Sequence, residues 1–116
     1  MPKYCFFVVM PVPLSKMDKW KQVGALSSQI FKDHGAVATY DWLADMESCP
    51  FGEVTSFQRA VALEEGEVVG MAQVIFESKE AANSVNAAYE ADPRMAEMSF
   101  EYDPKRAFYG GFELIV

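Results

Sequence analysis

Tyr4-Cys5-Phe6-Phe7-Val8-Val9-Met10 is the stretch whose reading decides the fold. Successive side chains of a strand point to opposite faces. Here both alternating sets are apolar or aromatic: Tyr4, Phe6, Val8 and Met10 on one side, Cys5, Phe7 and Val9 on the other. A strand of that kind has to be covered on both faces. Pro11-Val12-Pro13 follows at once and predicts that the strand breaks after Met10.

Working outward, Val68 to Glu77 (VVGMAQVIFE) repeats the pattern and reads as a second strand apolar on nearly all of both faces. Between them, Lys16 to His34 carries a helical period. Trp20, Val23, Leu26, Ser27, Ile30 and Phe31 fall on one arc and Asp18, Lys21, Gln22, Gln29, Lys32 and Asp33 on the other. Ser15 with Asp18 is placed to cap the start, and Gly35 to close the end in the left-handed conformation. Gly24 and Ser27 are small residues beside the buried stripe, which predicts close packing of this helix on its neighbour.

Ala36 to Leu43 is a strand of mixed polarity, suited to a sheet edge. Ala44 to Glu53 reads as a loop, and Val54 to Leu63 as either a short helical turn or an extended arm. Ser78 caps a second long helix with Ala81, Ala82, Val85, Ala88 and Tyr89 inward. It stops at Asp92, because the residue before Pro93 avoids helical geometry. Arg94 to Met98 adds one more turn, and Arg106 to Val116 is a last strand with Gly110 and Gly111 in its middle.

The resulting order, strand, helix, strand, strand, helix, strand, predicts an α+β fold. It is the ferredoxin-like βαββαβ antiparallel sheet with two helices on one face. Right-handed crossovers place the first and third strands at the centre, and those are the two with apolar residues on both faces. Two helices cover one face only, so the other predicts a second copy of the chain and a sheet-on-sheet homodimer.

Composition agrees with one such domain over residues 1–116: the chain is 51 % hydrophobic and 14 % aromatic, enough for a core without crosslinks. Ten cations against 17 acids give a net charge of −7, which offers a phosphate backbone little attraction and argues against nucleic acid. The apolar run from Tyr4 to Pro13 is too short to span a membrane. Cys5 and Cys49 form no CxxC pair and read as reduced thiols, which predicts a cytoplasmic protein.

Asp103, Lys105, Arg106, Tyr109, Gly110, Gly111, Phe112 and Glu113 are the most distinctive residues of the chain. With Met10-Pro11-Val12-Pro13, His34-Gly35-Ala36, Val54-Thr55-Ser56-Phe57, Val85-Asn86-Ala87 and Asp92-Pro93-Arg94, in that order, the chain resembles a family of small bacterial proteins. It is known as domain of unknown function fourteen twenty-eight. The resemblance implies a dimeric α+β barrel, in which two ferredoxin-like subunits pack sheet to sheet. It brings no reaction with it, and fold alone does not supply one. Pro104 stands where the family usually has glycine, and Ala38-Thr39-Tyr40-Asp41-Trp42 is an unusual second strand for it.

Candidate site residues are few. His34, the only histidine, has two readings: a polar side chain meeting the negative end of the helix dipole, or a general base with Asp41 or Tyr40 as orienting partner. Trp42 and Tyr109 are either core and interface aromatics or walls of a ligand pocket. Arg94, Lys105 and Arg106 either form ion pairs with Asp92, Asp103 and Glu113 or fork onto a ligand anion. Gly110 and Gly111 lack the setting of a phosphate loop and mark a close approach, by a facing sheet or by a ligand. Asp45, Glu47 and Glu53 make no metal-ligand set, Cys49 reads as an inert loop thiol or a nucleophile, and no cofactor motif is present.

Two functions fit these residues. One is a homodimer binding a small organic molecule between sheet and helices, with cofactor-independent acid/base or oxidative chemistry and His34, Asp41, Trp42 and Tyr109 as lining. The other is a non-catalytic dimeric module, structural or regulatory, whose pocket is filled by its own side chains.

Overall fold

The computed structural model describes residues 2–46 and 54–116. Four strands, β1 (Tyr4–Pro13), β2 (Ala38–Leu43), β3 (Glu67–Phe76) and β4 (Phe108–Glu113), form one antiparallel sheet in the order β2-β3-β1-β4. Three helices accompany it: α1 (Met17–Asp33), the single turn α2 (Phe57–Ala60) and α3 (Lys79–Ala91). This is an α+β architecture compatible with the ferredoxin-like pattern. The two strands apolar on both faces are the central ones, as the sequence predicts.

The strand break expected at Pro11 does not occur. β1 runs on through Pro13 in register with β3, Pro11 opposite Val69 and Pro13 opposite Glu67. Beyond the strand, the Leu14 N–H donates to Gly66 O at 2.8 Å, which continues the same register. Backbone groups of even-numbered residues therefore point to β3 and those of odd-numbered residues to β4. Pairing with β4 starts only at Val9, opposite Phe108. The missing N–H groups of Pro11 and Pro13 thus face a side with no partner strand, and no ladder bond is lost.

Even-numbered residues of β1 meet the helices. Val74 and Phe76 pack with Ala82 and Val85 of α3, with Tyr4, Phe6 and Phe31 around them. Met10 and Val12 pack with Trp20 of α1. The indole reaches the sheet because position 70 is glycine: a β-carbon there would lie 2.8 Å from Trp20 Cζ2 and from Val12 Cγ2. Phe76, Ile30, Val12 and Val61 are the largest side chains with no exposure, and each such burial stabilises by about 1.5–3 kcal/mol.

On the opposite face the chain supplies part of its own cover. Val61, just after α2, is fully buried against Val9 and Val69, with Leu63 and Met71 beside it. The segment read as turn or arm is therefore a helical turn, capped by Ser56 Oγ accepting from the Arg59 N–H at 3.2 Å. It closes with Ala62 at φ +50°, the Ala62 N–H bonding Arg59 O and the Leu63 N–H bonding Gln58 O, a Schellman closure with alanine where glycine is usual. The rest of this face, with Tyr40, Trp42, Phe108 and Phe112 about half exposed, has no cover among the described residues.

Helix ends follow the sequence in part. Ser78 Oγ accepts from the Ala81 N–H at 3.0 Å, and α3 stops before Asp92, which is extended. Ser15 caps nothing: Leu14–Lys16 forms a 3-10 turn, and α1 begins at Met17 after Lys16 with no side-chain cap. Gly35 takes φ +110° at the end of α1, as expected. The final strand is shorter than predicted, since Pro104–Arg106 forms a 3-10 turn before β4. Most of the loop expected over 44–53, with Glu47, Cys49 and Glu53, lies outside the described residues.

Candidate functional site: two chambers between sheet and helices

Phe31 of α1 and Tyr89 of α3 stack with ring centroids 3.9 Å apart and planes 9° apart. These two rings, together with Phe6 and Val8 of β1, form a partition that lines a chamber on each side.

Toward β2 the chamber has a volume of about 210 Å³. Phe6, Val8, Phe31, Ala72 and Val74 make its apolar part, and Ser27, Ser28, Thr39 and Asp41 bring polar atoms to it. Register places Thr39 and Asp41 opposite Val74 and Ala72, on the helix side of the edge strand. Ser28 and Thr39 are joined by their hydroxyls, and Ser27 Oγ lies 2.9 Å from Tyr89 Oη. The Asp41 carboxyl sits over Gly24, where a β-carbon would lie 3.0 Å from Oδ2. Burial against α1 pushes the Asp41 pKa above the ordinary carboxylate range. The small residues of α1 therefore leave room for polar side chains of β2 instead of drawing the helix flush onto the strand.

Toward β4 the second chamber has a volume of about 690 Å³ and adds Asn86, Glu90, Tyr102, Ala107 and Tyr109 to the shared wall. Tyr109 lies across from Val8 and packs on Phe6 with ring centroids 5.4 Å apart. Burial raises the Tyr89 pKa, partly offset by the Ser27 hydrogen bond.

The remaining sequence candidates do not converge on these chambers. His34 is absent from both linings. Its Nε2 lies 2.8 Å from Asp92 Oδ2, so neither Asp41 nor Tyr40 is its partner. Arg94 grips the same Asp92 through Nε (3.0 Å) and Nη2 (2.9 Å), and Asp33 through Nη1 (2.8 Å). Asp92 Oδ1 also accepts the Arg94 N–H at 2.9 Å. These contacts tie the end of α1 to the end of α3. They hold the Asp92 carboxyl far below the usual range, chiefly through the Arg94 guanidinium, and raise the Arg94 pKa.

Arg106 is likewise engaged within the chain. Nε donates to Val61 O at 3.0 Å, Nη2 to Ala62 O at 3.0 Å, and the guanidinium pairs with Glu67, whose pKa it lowers. Arg106 thus pairs with Glu67 and Glu64, not with Asp103 or Glu113. Asp103 instead caps the turn before β4, its Oδ1 accepting the Lys105 N–H at 2.9 Å.

Trp42 sits on the face away from α1 and α3, 50 % exposed, with Nε1 donating to Gln73 Oε1 at 3.3 Å and Tyr40 beside it. It shares no chamber with Tyr109. Instead it borders a cavity of about 310 Å³ with Val9, Phe57, Val69 and Met71. At Gly111 the close approach comes from within the chain: a β-carbon would overlap the Tyr4 hydroxyl and lie 2.5 Å from Cζ. Glu90, Tyr102 and Gly24 went unnoticed as site residues in the sequence; a glycine inside an amphipathic helix was the one signal for them.

The fold and site define an α+β protein with a divided cleft between sheet and helices. The chain belongs to the family described as "Protein of unknown function", DUF1428, whose model matches residues 3–104. It is 38 % identical over 117 residues to the uncharacterized protein YbaA of Escherichia coli strain K12, covering 98 % of this chain and 97 % of that one. The uncharacterized protein YbaA of Shigella flexneri matches to the same extent. No described helix is long and apolar enough to cross a membrane, and the described residues hold no metal-ligating cluster.

Proposed function

We propose that the chain is a single-domain cytoplasmic protein that pairs with a second copy through its open sheet face and binds a small organic molecule in the cleft between sheet and helices. The carrying observation is the chamber beside β2. Apolar walls from β1, β3 and α1 surround a few convergent polar groups, the usual make-up of a small-molecule site. We assign Asp41 as its proton-exchanging group, since its carboxyl stands among the apolar walls and burial holds its pKa above that of a free carboxyl. His34 has no such support, because Asp92 engages it outside the cleft.

Pairing of two chains is supported by the uncovered apolar face, where Tyr40, Trp42, Phe108 and Phe112 lie beside half-buried Phe7 and Ile75. A second sheet laid on it completes the two-layer packing that α2 starts at one end. Sedimentation equilibrium of purified protein is expected to give twice the chain mass; a monomer at micromolar concentration overturns the pairing. For the cleft, a thermal-shift screen of neutral aromatic compounds is run on the wild-type chain and on Gly24→Ala, which crowds Asp41. Hits that stabilise only the wild type are expected. Their absence refutes the small-molecule reading and leaves a non-catalytic module.

A further inference from the structure

We infer that the chamber on the β4 side of the Phe31–Tyr89 partition is a site for an organic cation, an alkylammonium group with short substituents. The inference rests on the reading of the cleft as a small-molecule site and adds the chemical class that its larger half accepts. Five aromatic rings line it: Phe6, Phe31, Tyr89, Tyr102 and Tyr109. Four of them come from different elements of the sheet and helices and are held by ring contacts. Phe31 stacks on Tyr89, and Tyr109 leans on Phe6 with planes 44° apart. Tyr102 and Tyr109 are 54 % and 75 % exposed, so ring surface is available to an incoming group.

The faces of aromatic rings carry negative quadrupole charge and attract a cation placed over them, and several rings around one space form a cage for quaternary ammonium groups. The formal charge of the lining agrees. Glu90 is its one ionisable carboxylate, and no Lys, Arg or His lines either chamber. Glu90 has no ion-pair partner among the described residues. The arginines suited to an anion are occupied elsewhere, Arg94 by Asp92 and Asp33, Arg106 by Glu67 and Glu64. An anionic ligand would meet a carboxylate and ring faces with nothing to neutralise it; a cation meets attraction from both.

The test is isothermal calorimetry with choline and with its uncharged carbon isostere, dimethylbutanol, which has the same shape and no charge. Choline is expected to bind at least about tenfold tighter, the scale of a desolvated cation–π contact. Glu90→Gln should weaken choline several-fold and leave the isostere unchanged, and Tyr102→Leu should weaken choline more than the isostere. Equal binding of the two probes overturns the cation class while leaving the cleft as a small-molecule site. No heat from either at millimolar concentration overturns the site itself, and the reading of the Asp41 chamber then stands or falls on its own screen.

Discussion

Gly24 of α1 and Asp41 of β2 are pressed together: Oδ2 of Asp41 lies 3.0 Å from where a β-carbon on Gly24 would stand, a contact tight enough that an added side chain would have to push the carboxylate aside. Helix and edge strand are thus joined at a point where the helix gives up a side chain and the strand brings an acid. The acid has no hydrogen-bond partner among the described residues.

Asp41 therefore costs stability when ionised. Its folded pKa is raised above the unfolded value, so the cost is absent below about pH 3.9, grows through the window between the two values, and is complete above the folded pKa. Asp41→Asn is expected to raise the urea midpoint at pH 7 and to leave it unchanged at pH 3. An equal gain at both pH values would show that charge is not the cause.

Ala62 holds a left-handed backbone at φ +50°, where an L side chain crowds its own carbonyl and glycine does not. Ala62→Gly should stabilise the chain by about 1 kcal/mol, read as a higher urea midpoint. Arg106 grips Val61 O and Ala62 O from outside, so the same substitution in an Arg106→Ala background checks whether that grip shares the work.

Gly111→Val sets a branched side chain against Tyr4, whose ring already fills the position. The expected loss is about 1–3 kcal/mol, the cost of overpacking, seen in the unfolding of the chain. Mass in sedimentation should not change, because the face concerned is the helix side of the sheet. A variant of native stability that has lost its partner chain would place Gly111 at the interface instead.

Asp92 gives the acid limb of stability. Its folded pKa is depressed by Arg94, so its contribution is present above the unfolded pKa of about 3.9 and is lost as pH falls below that. Asp92→Asn should lower the urea midpoint at pH 7 and flatten its fall below pH 4. His34→Gln should leave that acid limb in place, since the arginine is the larger cause.

The architecture was legible because its signal is periodic. Tyr4 to Met10 is apolar at every step and Val68 to Glu77 at nearly every step, and only central strands need that; the mixed strand with Tyr40 and Asp41 went to an edge. Pro11 and Pro13 misled because a proline reports a missing donor, not the direction in which that donor would have pointed. The site was less legible. His34 meets Asp92 across 58 positions and Arg106 meets Glu67 across 39, and residue type alone names no partner at that distance. Asp92, two residues from Arg94, was the one ion pair that proximity in the chain could give. Trp42 and Tyr109 look alike as strand aromatics. Their opposite faces follow only from register, Tyr109 across from Val8 and Trp42 across from Met71.

The two prolines of β1 have an effect outside the folded chain. From Met10 onward the flank of β1 left open by the short β4 is a sheet edge in all but name, the kind of edge on which another chain can zip and start an aggregate. Pro11 and Pro13 sit at the two positions whose backbone would have offered donors there. That flank offers an intruding strand no N–H donor at positions 11 and 13, while the other side of the same stretch keeps its full ladder with β3.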